Sequence, residues 1–450
     1  MKVSSIIILT SALINTEVLL AAAEDSFQNS KYSLQEQSMS QVNAAQIPQS
    51  GLGLQLAEKI ALQRDSVSKS FKQNELAYAD QAQAVDTWQD PRIKLGVQAL
   101  PIDSFDFEQE NMTQLVVGYQ QMLPRGDSNA NASASMMAMS RTQTAKGQQR
   151  ERQVLVKVRQ AWLDVVLQEK TLDIIQENRK LFEEMLDISQ SFYASGRQQQ
   201  QDVVQAELEI SLVDDRLERA NSELLVAQAN LAKWVGKENM LNGVAVDQAD
   251  LSLPAMQAIT ELKRRLETNP ELVAMQQQVI GQQKKLDLAD DQYSPQWGFD
   301  VTYGFRSGNN GNNLANGARS DFLTAMVTLD LPIFTENKQD RNLSAEKQRL
   351  QAVRYRQLDV NRDLLKRLQA VVGRLQKLKD RHQLYESKVL PQAQQNAEVS
   401  LSGYQSGVVN FFTLTRARVT ELNTRLADLQ IDVAYNKAFA ELQYLIGEKL

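Results

Sequence analysis

Residues 193–206 read YASGRQQQQDVVQA, and residues 404–417 read YQSGVVNFFTLTRA. One shift lays Tyr193 on Tyr404, Ser195 on Ser406, Gly196 on Gly407 and Ala206 on Ala417. Continued without a gap, it lays Ala227 on Ala438, Leu231 on Leu442 and Gly236 on Gly447. In each copy a Ser-Gly pair breaks one helical run and a second helix begins shortly after. In the first copy Asp202 is placed to cap that second helix, which runs to Trp234 and ends at Gly236. Matched breaks at both ends of two helices of equal length mark an internal duplication.

Outward from these breaks, the same order of elements appears twice. From Leu52 to about Trp88, Leu56, Ile60, Val67 and Phe71 recur at helical steps. Asp90-Pro91 ends that helix, because the residue before proline avoids the α region. Ile93, Leu95, Val97 and Ala99 then alternate with Lys94, Gly96 and Gln98, and Leu115, Val117 and Tyr119 alternate with Gln114, Gly118 and Gln120. That period of two predicts two strands, the second closed by Leu123-Pro124. A helical run from about Ser128 to Ala194 follows, roughly 100 Å long at 1.5 Å per residue. The pattern then restarts. A helix covers about Met256 to Gln292, with Asn269-Pro270 as its candidate break, and Tyr293-Ser294-Pro295 ends it. Trp297 to Phe305 and Leu323 to Leu331 alternate as strands around a loop rich in Gly and Asn. A second long run spans about Asn337 to Leu401, with a kink expected at Pro391, and the last helix reaches Ile446-Gly447. The chain divides accordingly into a first repeat, 51–240, with strands at about 92–100 and 113–123, and a second, 241–450, with strands at about 297–306 and 321–331.

Composition excludes several classes of function. The 450 residues contain no cysteine and one histidine, so disulfides, thiol catalysis, a Cys- or His-built metal centre and a Ser-His-Asp triad are not expected. His382, among Lys379, Asp380 and Arg381, reads as a surface residue. No phosphate loop and no basic stripe for nucleic acid are present. No cofactor is expected, and an enzyme is the poorest reading. Residues 1–23 read as a signal peptide: Lys2, an apolar stretch to Leu20, then Ala21-Ala22-Ala23. Residues 24–50, rich in Gln, Ser and Asn, read as a flexible extracytoplasmic leader. No later stretch has 18 consecutive apolar residues, so any membrane contact must come from strands.

Four amphipathic strands cannot close a membrane barrel, which needs at least eight, and an open edge cannot sit in lipid. Several chains must therefore pool their strands. The apolar faces would meet lipid. The polar faces, with Lys94, Asp300, Arg306 and Asp330, suit a water-filled lumen. The long helices would pack side by side as coiled coils.

The chain resembles the TolC family of outer-membrane efflux proteins over essentially all of its mature length. The duplicated frame, Asp90-Pro91 and Ser294-Pro295 before the strand pairs, and the two hairpin tips carry the resemblance. It implies a mainly α homotrimer with a 12-stranded transmembrane β-barrel in the Gram-negative outer membrane and a helical tunnel through the periplasm. It also implies docking onto a periplasmic adaptor and an inner-membrane pump. On this resemblance Gly196, Arg197, Gly407 and Val408 face the adaptor, and Asp202 and Arg416 are periplasmic gate residues. The second repeat departs from an acidic gate, with Thr413 where an acid is expected. The chain is also similar to the outer components of heavy-metal pumps, and Met136, Met137 and Met139 offer thioethers that suit soft ions, although methionine is an ordinary helix filler. The implied function is a passive exit duct for small molecules or ions. Two alternatives stay open: the exit of a type I protein secretion system, and a secreted coiled-coil structural protein with no pore.

Overall fold

The computed structural model describes residues 51–240, 243–246, 251–254, 257–308 and 319–447. The expected signal peptide and leader, and the middle of the loop between the last two strands, lie outside the described residues. The helices are α1 (Leu54–Arg64), α2 (Ser66–Val85), α3 (Ser128–Ala194), α4 (Gln200–Val235), α5 (Ile259–Leu266), α6 (Pro270–Asp290), α7 (Gln339–Leu384), α8 (Leu390–Gln405) and α9 (Phe411–Ile446). The strands are β1 (Arg92–Gln98), β2 (Gln114–Met122), β3 (Gln296–Phe305) and β4 (Phe322–Asp330).

The two halves correspond most closely in their last helices and in the sheet. Helices α4 and α9 have 36 residues each and begin at equivalent positions after equivalent breaks. Two strands from each repeat join in one antiparallel sheet, ordered β1-β2-β3-β4. Ile93 pairs with Tyr119, Tyr119 with Val301 and Val301 with Ala325. The adjacent row runs Lys94, Gly118, Thr302, Thr324. Alternation in each strand thus adds up to one apolar and one mainly polar face across the whole sheet. Strands β1 and β4 are its two edges.

The long helices bury narrow seams. In α7, Leu364, Leu368, Val371, Leu375 and Leu378 are buried at alternating steps of four and three, the spacing of a coiled-coil seam. In α3, Val154, Val158, Ala161 and Val165 begin the same pattern. Where the repeats meet, the Trp162 indole N–H donates to the Leu52 carbonyl at 2.9 Å, and Leu52 forms a parallel bridge with Val244. Among the described residues no helix is long and apolar enough to cross a membrane.

Two helical expectations change and one holds. The helix read from Leu52 to Trp88 is two, divided at Asp65. Asp65 accepts from the Ser68 N–H at 2.8 Å and so caps α2, while Arg150 of α3 grips both its oxygens, at 2.7 and 3.1 Å. A carboxylate used twice in this way outweighs the continuity of the apolar pattern. The break at Asn269-Pro270 is present, with the Asn269 side chain capping α6 and Pro270 in its first turn. The expected kink at Pro391 sits earlier, as a π-helical turn over Tyr385–Val389. Proline lacks an N–H and crowds the carbonyl four residues before it, so the preceding turn widens.

Replacing Asp65 with alanine should therefore lower stability by about 0.5–2 kcal/mol for the cap alone. Burial pushes the Asp65 carboxyl up, but Arg150 and Ser68 outweigh it and hold it below its ordinary value. Its contribution is then full at neutral pH and lost as the pH falls through the lowered folded value. Urea unfolding of the variant and the parent should differ at neutral pH and converge in acid.

Candidate functional site: the sheet faces and the hairpin tips

On one face of the sheet, Trp297, Phe299, Val301, Tyr303 and Phe305 of β3 are exposed, as are Ile93, Leu95, Val117, Leu323 and Val327. Leu95 is 76% and Leu323 72% exposed, a large apolar surface for a protein in water. On the other face the Lys94 ammonium pairs with the Asp300 carboxylate, which also accepts from the Thr302 hydroxyl at 2.9 Å. Lys94 reaches Asp300 across Gly118. A Cβ at Gly118 would lie 2.8 Å from Thr302 Oγ1 and 3.4 Å from Lys94 Cβ, so glycine leaves the room for this crossing. Asp330 lies farther along, with Arg125 at 3.8 Å. Arg306 falls just past β3 and stacks over the Phe322 ring at 4.3 Å.

The two tips share one backbone solution. Gly196 N–H donates to the Tyr193 carbonyl and Arg197 N–H to that of Phe192, at 3.0 and 2.8 Å. Gly407 and Val408 donate to Tyr404 and Gly403 at 3.0 and 2.9 Å. This paired closure ends a helix through a left-handed residue, and φ is +71° at Gly196 and +77° at Gly407. Beyond the turn the tips differ. Asn410 caps α9 through the Thr413 N–H at 2.9 Å, whereas Gln199 at the equivalent place makes no side-chain cap. Arg197 sits over the Phe192 ring at 5.9 Å, and Val408 is 82% exposed.

Asp202 is not the cap expected from the sequence. It lies inside the first turn of α4, and its carboxylate accepts from the Tyr404 hydroxyl of the other repeat at 3.3 Å. Tyr404 is fully buried, with Phe192 and Phe411 rings 5.7 and 5.4 Å away. Burial pushes Asp202 above the ordinary carboxylate value and the Tyr404 hydroxyl partly offsets it. Burial and the nearby Asp202 charge push the Tyr404 hydroxyl up. Arg416 is exposed, while Arg418, two residues on and on another side of the helix, is buried and pairs with Glu421 at 2.9 Å. Sequence reading passed over Tyr404 and Arg418. The signal for Tyr404 was an aromatic retained in both tips, yet its counterpart Tyr193 is 49% exposed. Met137 is exposed and Met136 and Met139 are half-buried. Successive helical residues turn by about 100°, so Met136 and Met137 face different ways.

Residues 262–448 match the family model described as outer membrane efflux protein. The match covers most of the second repeat. The family is one of channels rather than an enzyme class, and its description sets its members in the outer membrane. Among curated proteins none matches the chain in sequence. Solved efflux-protein structures share the fold. CusC has a TM-score of 0.72 and 14% identity, covering 88% of this chain and 92% of its own. The outer membrane protein VceC of Vibrio cholerae has a TM-score of 0.69 and 15% identity, with coverage of 88% and 96%. The MtrE outer membrane channel of Neisseria gonorrhoeae, in its open state, has a TM-score of 0.70 and 15% identity, with coverage of 88% of each chain. The fold of these outer-membrane proteins therefore extends over both repeats.

Proposed function

We propose that three copies of this chain pool their strands into a 12-stranded barrel in the outer membrane and continue it as a helical tunnel in the periplasm. The assembly is a passive exit duct for small molecules or ions, driven by a partner adaptor and an inner-membrane pump. The observation that carries this reading is the sheet: one continuous apolar face, one polar face and two open edges. Such a sheet is stable in lipid only if its edges meet those of other copies. Because the four strands alternate in direction, β4 of one copy would meet β1 of the next in antiparallel fashion, as a closed barrel requires. Lys94, Asp300 and Asp330 would then face the lumen, with Arg306 at its rim.

Purified protein in planar bilayers should conduct ions, and cross-linking should trap trimers. A stable monomer, or no conductance with the tips forced open, would contradict the shared barrel.

In this reading the tips at Gly196, Arg197, Gly407 and Val408 receive the adaptor. A Cβ at Gly196 or Gly407 meets nothing within 4 Å, so a side chain there has room. Asparagine tolerates the left-handed conformation better than other residues, which pay roughly 1–2 kcal/mol for it. Gly196→Asn and Gly407→Asn should leave trimers and conductance intact and cut export in cells severalfold. Unchanged export would remove the docking assignment.

A further inference from the structure

The π-helical turn Tyr385–Val389 interrupts the long helix of the second repeat, and turns of this kind often mark functional positions. One polar cluster lies beside it. His382, near the end of α7, is not the open surface residue its charged neighbours suggested. It is half-buried against α9. There Asp428 and Asp432, four residues apart, share one helix face. A ligating atom from each of the three residues lies within 4.8 Å of the others.

These atoms are poorly served as they stand. His382 Nδ1, Asp428 Oδ1 and Asp432 Oδ1 are shut off from solvent, and none has a hydrogen-bond partner. His382 Nδ1 is 2.7 Å from Asp432 Oδ1, close enough for attraction but not aligned as a hydrogen bond. Buried polar atoms are rarely left this way in folded proteins, and one cation between them would satisfy all three. Glu386 Oε2 lies 3.7 Å from Nε2, on the other side of the imidazole. A carboxylate beyond the second ring nitrogen is the usual device that orients a metal-bound histidine, and it leaves Nδ1 as the ligating atom.

We propose that His382, Asp428 and Asp432 bind a divalent first-row transition ion of the zinc type, clamping the end of α7 to α9 beside the π turn. One imidazole and two carboxylates suit such an ion. Magnesium and calcium favour oxygen alone, and Cu(I) favours sulfur. Three protein ligands leave a fourth position for water. The site is independent of the methionines of α3 and of whether the chain forms a duct.

The test uses the full chain, purified in detergent without a histidine tag and stripped with chelator. It is titrated with Co²⁺, read by its visible absorption, and with Zn²⁺, read by calorimetry. One ion per chain is expected, with Zn²⁺ displacing Co²⁺ and Mg²⁺ failing to compete. His382→Gln and Asp432→Asn should each weaken binding by more than about a hundredfold, and Glu386→Gln, acting through the ring, by about tenfold. Asp428→Asn, nearly the same shape, should also lose the ion while eluting as the parent does, which separates loss of a ligand from loss of fold. Zn²⁺ should raise the unfolding temperature of the parent but not of His382→Gln. Absence of stoichiometric binding, or binding unchanged in Asp428→Asn and Asp432→Asn, would overturn the assignment.

Discussion

Val301→Arg is expected to abolish assembly in the outer membrane while leaving the helical part folded. Val301 lies in the middle of β3, in the apolar row between Tyr119 and Ala325. If that face meets lipid, an arginine there costs about 2–4 kcal/mol per chain at the bilayer midplane. In a closed ring each subunit carries the cost. The expected result is loss of membrane-inserted oligomers and of conductance, with helical circular dichroism retained in the soluble fraction. The matched control is Thr324→Arg, on the opposite face of the same sheet, where a water-filled lumen accepts the charge. Equal loss from both variants would argue for a sheet packed against protein rather than lipid. Equal tolerance of both would argue that this face never enters a bilayer.

Tyr404→Ala is expected to have the other large effect, at the far end of the molecule. It removes a fully buried ring between Phe192 and Phe411 and the hydroxyl that reaches Asp202. Truncating a buried aromatic costs about 3–5 kcal/mol, here at the place where the two hairpins are tied. We expect the tips to splay, raising single-channel conductance and exposing the turns to protease. Tyr404→Phe separates the two contributions. It keeps the ring and loses only the hydrogen bond, which to a charged acceptor is worth about 1.5–3 kcal/mol. Asp202 has a raised value in the folded chain, so it takes up a proton there before it does when unfolded. Its burial penalty is present above that value and relieved as the pH falls toward the ordinary carboxylate range. The Tyr404→Phe destabilisation should therefore be larger at neutral pH than in acid, and a pH series of thermal unfolding checks it. A difference independent of pH would mean that the hydroxyl does not serve the carboxylate.

Most of the architecture was legible because it rests on periodicity. Strand alternation fixed which residues share a face, and the repeat of Ser-Gly breaks located both tips. The misread positions have a common physical cause: a side chain acting on an element remote in sequence. Asp65 divides a helix because Arg150, on α3, holds it. Asp202 looks like a cap by its place near a helix start, but its partner is Tyr404 of the other repeat. His382 sits among charges that suggest solvent, and only the packing of α9 reveals Asp428 and Asp432 beside it. Local composition carries no trace of such pairings. The Pro391 kink was misplaced for a different reason. Proline disturbs the turn before it, so the distortion appears at Tyr385–Val389.

The two open sheet edges bear on genetics as well as on shape. Each chain offers β1 on one side and β4 on the other, so in the proposed ring one faulty edge would leave a gap that the remaining copies cannot bridge. In a three-membered ring with random mixing, equal expression of intact and edge-defective chains would leave roughly one ring in eight wholly intact. An edge variant such as one with proline in the centre of β4 should thus be dominant over the normal gene. In the same reading a variant at the helical tips, where each ring would offer several docking points, should be closer to recessive.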